Sequence, residues 1–320
     1  MEDPSFDTPP GLGNPHLQTI LGRTLRLRLD ASYSRSRLDT PDGDFIDVDV
    51  WGAVGKPRGV CLLLHGLEGS AASGYMVATA GALTARGLIA ASLNFRSCSG
   101  EPNRTIQSYH SGRTDDIVTA LSWLAEGFPD LPRVAVGFSL GGNALINHLG
   151  RAGAGAGLAA AAAISVPYDL AASAAEMERG LGRAYATHFL RSLRRKARHK
   201  RRLFPGEMPP TIERARSIRE FDDRYTAPFH GFRDATDYYA RCSAGGYVDA
   251  VETPTLLIQS RDDPLVPSGS IPAQAIRANR RLELRLTDRG GHVGFVHRRA
   301  PPGAHGWLEA GVAEYLASTL

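Results

Sequence analysis

Three side chains in this sequence have the types and order that acyl transfer needs: a serine set between glycines, then an aspartate, then a histidine. The serine is Ser139, within Arg133-Val-Ala-Val-Gly-Phe-Ser-Leu-Gly-Gly-Asn143. Arg133 to Gly137 reads as a short buried strand, and Gly141 to Leu149 as a helix with Leu145, Ile146 and Leu149 on one face. A chain that turns so sharply from strand to helix forces its central residue into a strained conformation. Glycine is then needed two residues to either side, at Gly137 and Gly141. The hydroxyl is pushed out at the strand's C-terminal end, where the helix N-terminus offers unpaired N–H groups. This is the G-x-S-x-G nucleophile elbow, and Ser139 is the only serine in the chain with glycine at both positions.

A serine hydroxyl is a poor nucleophile at neutral pH and needs a base oriented by a third group. In doubly wound sheets the reactive loops gather at the carboxyl ends of the strands. Two such loops lie downstream of Ser139. Arg261-Asp-Asp-Pro-Leu-Val-Pro267 follows an apolar run at 254–260, and Gly290-Gly-His-Val-Gly294 follows one at 282–286. They supply His292 as base and either Asp263 or Asp262 as the orienting acid. The Asp-x-x-Val-Pro spacing favours Asp263, and Asp262 stays open as the alternative. Two backbone N–H groups must meet the developing oxyanion. The candidates are Leu140, next after the nucleophile, and Leu67 in His65-Gly-Leu-Glu-Gly69, where Gly66 permits close approach.

The elements that must hold these groups can be read from apolar periodicity. Residues 24–30 and 45–51 alternate apolar and polar side chains, as half-exposed strands do, and Pro41-Asp-Gly43 supplies the turn between them. From Val60 the strands become short continuous apolar runs, at 60–64, 89–94, 133–137 and 159–166, as in a sheet covered on both faces. Helices are expected at 74–86, 115–126 (Thr114 as N-cap, Gly127 as stop) and 303–316. Strands alternating with helices imply a parallel sheet with crossovers. Residues 168–248 break the rhythm and read as a helical cap or lid inserted into the core. The expected division is an arm on the surface at 1–22, a core at 23–167 and 249–320, and the cap at 168–248.

Composition narrows the function classes. Hydrophobic content of 42% and charged content of 22% suit a globular protein with a sizeable core. A net charge of +4 without zinc-finger spacing or an RNA-binding aromatic motif gives no reason to expect nucleic acid. Three widely spaced cysteines, Cys61, Cys98 and Cys242, argue against a disulfide framework and for a reducing compartment. With no secretory leader visible, the expectation is a cytoplasmic protein. No histidine spacing suits a metal and no phosphate-binding glycine loop opens a helix, so neither metal nor cofactor is expected. His65 reads as a structural partner within its loop. The run Arg191-Ser-Leu-Arg-Arg-Lys-Ala-Arg-His-Lys-Arg-Arg202 has two readings: a solvated helix face, or a surface that makes weak contact with an anionic membrane.

Asn14-Pro-His-Leu-Gln-Thr19, His65-Gly-Leu-Glu-Gly-Ser70, Asn94-Phe-Arg-Ser-Cys-Ser-Gly100, Tyr109-His-Ser-Gly112, Gly137-Phe-Ser-Leu-Gly-Gly-Asn143, Asp262-Asp-Pro264 and Gly290-Gly-His-Val-Gly-Phe295 together resemble the YheT-like α/β-hydrolases, the fourth family of the AB hydrolase superfamily. The resemblance implies an α/β-hydrolase fold. It also implies hydrolysis of carboxylic esters. Small-molecule esters with short to medium acyl chains are expected, cleaved through an acyl-enzyme on Ser139. The alternatives are a lipase or phospholipase at a membrane surface and a non-catalytic binding protein of the same fold. One residue departs from the pattern: Ser97 stands where the family usually has glycine. That puts the local backbone in question rather than the chemistry.

Overall fold

The computed structural model describes residues 6–24, 26, 33–298 and 306–320. Its framework is an eight-stranded sheet in the order β1-β2-β4-β3-β5-β6-β7-β8. These strands are β1 (Ser34–Asp39), β2 (Phe45–Trp51), β3 (Gly59–Leu64), β4 (Leu88–Asn94), β5 (Arg133–Phe138), β6 (Ala160–Ile164), β7 (Thr255–Ser260) and β8 (Leu282–Thr287). The β1–β2 and β2–β4 pairs are antiparallel and the rest are parallel. Every residue of β3, β4, β6 and β7 is buried, which explains why these segments carry no polar alternation.

Helices cover both faces. On one side α3 (Asp115–Gly127), α4 (Leu140–Ala152) and α10 (Ala273–Ala278) pack through Ile117, Leu121, Leu145, Leu149 and Ile276. On the other, α2 (Gly74–Thr84) and α11 (Trp307–Ser318) pack through Met76, Leu83, Leu308, Val312 and Leu316. The final helix thus begins inside the expected 303–316 window, whose first residues lie outside those described. Thr114 precedes α3 as expected, but its backbone is already helical (φ −108°, ψ −15°) and its hydroxyl makes no capping bond. Asp115 and Asp116 place negative charge in that first turn instead.

Two expectations need correction. The strand paired with β2 is Ser34–Asp39, not 24–30: Thr24 ends a helix, and most of 25–32 lies outside the described residues. Strand β1 is polar apart from Leu38, which reaches the core, and cross-strand ion pairs join it to β2, Arg35 to Asp49 at 2.6 Å and Arg37 to Asp47 at 2.8 Å. The second correction concerns the N-terminal arm. Residues Pro15–Thr24 form a helix, α1, that is docked with Gln18 and Gly22 buried.

Between β6 and β7 the described chain is helical: α5 (Leu170–Glu176), α6 (Gly182–Leu203), α7 (Ile218–Phe221), α8 (Ala227–Phe229) and α9 (Ala235–Cys242), with short 3₁₀ and π turns. This insertion has small cores of its own, one built from Ala186, Leu190, Ala197, Ile212, Phe221 and Tyr225. Strand order reverses around β3, which has β4 on one side and β5 on the other. The loops leaving β3 and β5 therefore flank the crevice in which doubly wound sheets bind ligands.

Candidate active site

Ser139 stands between β5 and α4 with φ 51° and ψ −118°, a conformation non-glycine residues rarely adopt. The reason for the flanking glycines is now visible. A Cβ on Gly137 would lie 2.5 Å from the Gly141 carbonyl oxygen, and one on Gly141 would lie 2.4 Å from the Leu64 carbonyl oxygen. The first glycine lets the helix start against its own strand, and the second lets it start against the end of β3.

His292 Nε2 lies 2.8 Å from Ser139 Oγ, and His292 Nδ1 lies 2.8 Å from Asp263 Oδ2. A carboxylate only accepts, so Nδ1–H donates to Asp263 and the Nε2 lone pair accepts the serine hydroxyl. The geometry thus separates the two aspartates. Asp263 Oδ1 accepts from the Leu265 and Val266 N–H groups at 2.8 and 3.0 Å, which folds the acid loop around it and aims Oδ2 at the histidine. Asp262 turns to the Gly291 N–H at 2.9 Å instead, and burial raises its carboxyl above the ordinary range.

The Leu67 and Leu140 N–H groups have no hydrogen-bond partner among the described residues. The loop carrying Leu67 is pinned on both sides. Gly66 N–H donates to Tyr75 Oη at 2.8 Å, and a Cβ on Gly66 would meet Ser139 Cβ at 3.2 Å. His65 is buried in the role expected of it. Its Nδ1–H donates to the Gly66 carbonyl at 2.8 Å and its Nε2 accepts from Phe95 N–H at 3.1 Å, while burial pushes its pKa down to about 4.

From Ser139 and His292 an apolar cleft of about 1060 Å³, including its open mouth, runs beneath the insertion. Leu170, Met177, Phe189, Leu193, Ile218 and Phe221 line it. A polar group, Asp222 with Thr226 and Tyr239, also borders it. Asp222 accepts from both hydroxyls, at 2.6 and 2.7 Å, and burial raises its carboxyl to about 6. Among the described residues no group of three or more His, Cys, Asp or Glu is arranged to hold a metal ion.

A family model described as the alpha/beta hydrolase family matches residues 61–302. The chain belongs to that family. Among related proteins, YheT of Escherichia coli (strain K12), named as a candidate esterase, is 39% identical, with 97% of this chain and 92% of YheT covered. The mouse phospholipase ABHD3 is 30% identical over 87% of this chain and 70% of its own length. Among solved structures, the Pyrococcus furiosus esterase Pf2001 superposes with a TM-score of 0.59 at 18% identity, covering 98% of this chain and 99% of that one. That likeness concerns the fold.

Around this α/β-hydrolase core lie further groups, in segments whose sequence gave them no role. Helix α1 is clamped to the histidine loop. Thr19 Oγ1 accepts from His292 N–H at 2.9 Å, and Gln18 Oε1 accepts from Val296 N–H at 2.7 Å. At Gly22 the two segments also meet backbone to backbone, since a Cβ there would lie 2.6 Å from Gly294 Cα. Asn143 ties the elbow helix to the insertion: its amide donates to the Ser111 and Cys242 carbonyls at 2.9 and 2.8 Å, and its oxygen accepts from Ala244 N–H. Ser97 has φ 62°, a conformation that favours glycine, and its hydroxyl accepts from Asn103 N–H at 3.0 Å.

The basic run divides by face. Arg191, Arg195, Arg198 and Arg202 are exposed, whereas Lys196 and Lys200 turn inward to the cleft. Lys200 is buried against the carbonyls of Asn103, Thr105 and Gln107, and burial lowers its pKa to about 7. The reading of a uniformly solvated helix is corrected at these two positions.

Proposed function

We propose that this protein is a serine hydrolase of carboxylic esters in which Ser139 is the nucleophile, His292 the base and Asp263 its orienting acid. The observation that carries the reading is the hydrogen-bonded chain Ser139–His292–Asp263, with both links at 2.8 Å, at one end of an apolar cleft. Ser139 Oγ attacks the ester carbonyl while His292 Nε2 takes its proton. The oxyanion is met by the free N–H groups of Leu140 and Leu67. The tetrahedral adduct expels the alcohol, which leaves with the proton from His292. Water, activated by the same imidazole, then cleaves the acyl-enzyme and returns Ser139 to its free state.

The cleft's aliphatic and aromatic walls suit an unbranched acyl chain. The helical insertion that supplies most of them acts as the cap, and short to medium acyl chains are the substrates we expect. The names of YheT and ABHD3, as an esterase and a phospholipase, agree with ester cleavage. The test is pre-steady-state hydrolysis of p-nitrophenyl esters from acetate to decanoate. A burst of p-nitrophenol stoichiometric with enzyme, with a chain-length optimum in kcat/KM, is expected. No turnover across the series would refute the reading.

A second reading, action at an anionic lipid surface, is favoured by one feature of the exterior. Leu17 and Ile20 of α1 are exposed, and α1 lies beside α6, with His16 stacked on Tyr185 and Arg23 3.3 Å from His188. The exposed arginines of α6 continue from there. Sedimentation with phosphatidylglycerol vesicles at low and high salt tests it. Salt-sensitive binding is expected if the reading holds, and no binding at low salt removes it.

A further inference from the structure

The Glu68 and Tyr109 motifs have no part in the reaction as derived above, yet they meet beside the loop that carries Leu67. Glu68 follows Leu67 directly and has φ 53°, so the backbone at this point is held in a conformation it would leave if released. Its restraints come from two elements. Tyr109 Oη accepts from Glu68 N–H at 2.9 Å and donates to Glu68 Oε1 at 2.7 Å. Lys196, from α6 of the insertion, reaches the same Oε1 with Nζ at 2.8 Å and stands 5.4 Å from the centre of the Tyr109 ring. The Glu68 side chain is only 4% exposed and that of Lys196 21%, so salt screens this ion pair less than one on the surface. Lys196 Nζ also lies 3.1 Å from Cys98 Sγ, a thiol that burial pushes up to about 11 and so keeps neutral.

The two neighbours of Leu67 are thus held differently. Gly66 is fixed by Tyr75 and His65 of the hydrolase core, whereas Glu68 is fixed by Tyr109 together with a lysine of the insertion. We infer that Lys196 is a positioning residue that aims the Leu67 N–H at the oxyanion through Glu68, so that the oxyanion hole is complete only when α6 is seated over the core. This rests on the proposed roles of Ser139 and Leu67. Hydrogen bonds to a developing oxyanion depend steeply on placement, and a misplacement of about 1 Å can lower a rate about 100-fold. Seating of the insertion on a bound acyl chain would then raise kcat through this lysine without adding any group to the reacting atoms.

The test compares wild type with Lys196→Met and Tyr109→Phe, each rate normalised to active sites titrated to completion with a fluorophosphonate. Both variants should lose about 10- to 100-fold in kcat, with KM changed by less than about threefold. The Ki of an alkyl trifluoromethyl ketone, which forms an oxyanion on the serine, should rise in parallel with the loss in kcat. A side chain that serves only stability would lower the titratable fraction or Tm and leave kcat per site and Ki alone. The inference is overturned if kcat per titrated site and Ki stay within about threefold of wild type in the variants that fold. Tyr109→Phe keeps the test decisive should Lys196→Met strand its carboxylate and fail to fold. If wild type turns over none of the esters, the ester-hydrolase reading fails; if wild type turns over and the variants match it, this inference alone fails.

Discussion

The two sides of Ser139, the proposed nucleophile, are held from different places. On the base side, Asp263 is fixed by N–H groups of its own loop, and His292 is held by Asp263, by Thr19 of α1 and, through Gly291, by Asp262. All of these contacts come from the sheet's loops and the N-terminal helix. On the oxyanion side, the Leu67 loop leans partly on the insertion, through Lys196 and Glu68. On the proposed roles, the base side is held within the hydrolase core, while the oxyanion side would follow a movement of the helices over the cleft. The difference also separates two kinds of charge: the base side contains a carboxylate that a fixed imidazole uses, and the oxyanion side contains a carboxylate whose partner arrives from another layer.

The largest effect should come from the acid. Asp263→Asn is expected to lower kcat about 10⁴-fold by reversing the histidine tautomer, measured on a p-nitrophenyl ester. Asp262→Asn keeps an acceptor for the Gly291 N–H and should cost less than about tenfold. The opposite ranking would show that the base side is organised by the other carboxylate. A smaller effect is expected at α1. Thr19→Val preserves shape but removes the acceptor for His292 N–H, and should reduce kcat about tenfold without altering the ratio of trifluoromethyl ketone Ki to KM. A change in that ratio would break the separation between the two sides.

The smallest effect concerns the insertion alone. Burial raises the Asp222 carboxyl to about 6, above its unfolded value of about 3.9. A folded-state pKa that is raised for an acid means that ionisation opposes folding. The penalty begins above the unfolded pKa and reaches its full size once the pH exceeds the folded one. Asp222→Asn should therefore raise Tm by a few degrees at pH 8, and the gain should vanish below about pH 4. A gain that does not change with pH would mean that packing, not ionisation, sets the effect.

Much of this arrangement could be read from the chain because chemistry and fold left separate marks on it. The parallel strands are continuous apolar runs, and the elbow, acid loop and histidine loop each follow one of them. What escaped was held by residues without an apolar signature. Helix α1 buries Gln18 and Gly22, so no hydrophobic period announces it. Strand β1 is Ser-Arg-Ser-Arg-Leu-Asp, and its partners are aspartates across the ladder. Lys196 and Lys200 are hidden in a run of like charges. Their spacing of four, in phase with Leu193 and Ala197, was the available sign that one face of α6 turns inward. Between Asp262 and Asp263 the Asp-x-x-Val-Pro spacing favours the second but leaves the first open, because which carboxylate receives the loop's own N–H groups is a matter of backbone geometry.

The most direct test of the account is covalent. A fluorophosphonate should react with the wild-type protein at one site, and digestion followed by mass spectrometry should place the phosphonyl group on Ser139. Ser139→Ala should abolish labelling, and His292→Ala should slow it by orders of magnitude at unchanged fold. Labelling that persists in Ser139→Ala, or a wild-type protein that folds but does not react, would contradict the assignment of Ser139 as nucleophile.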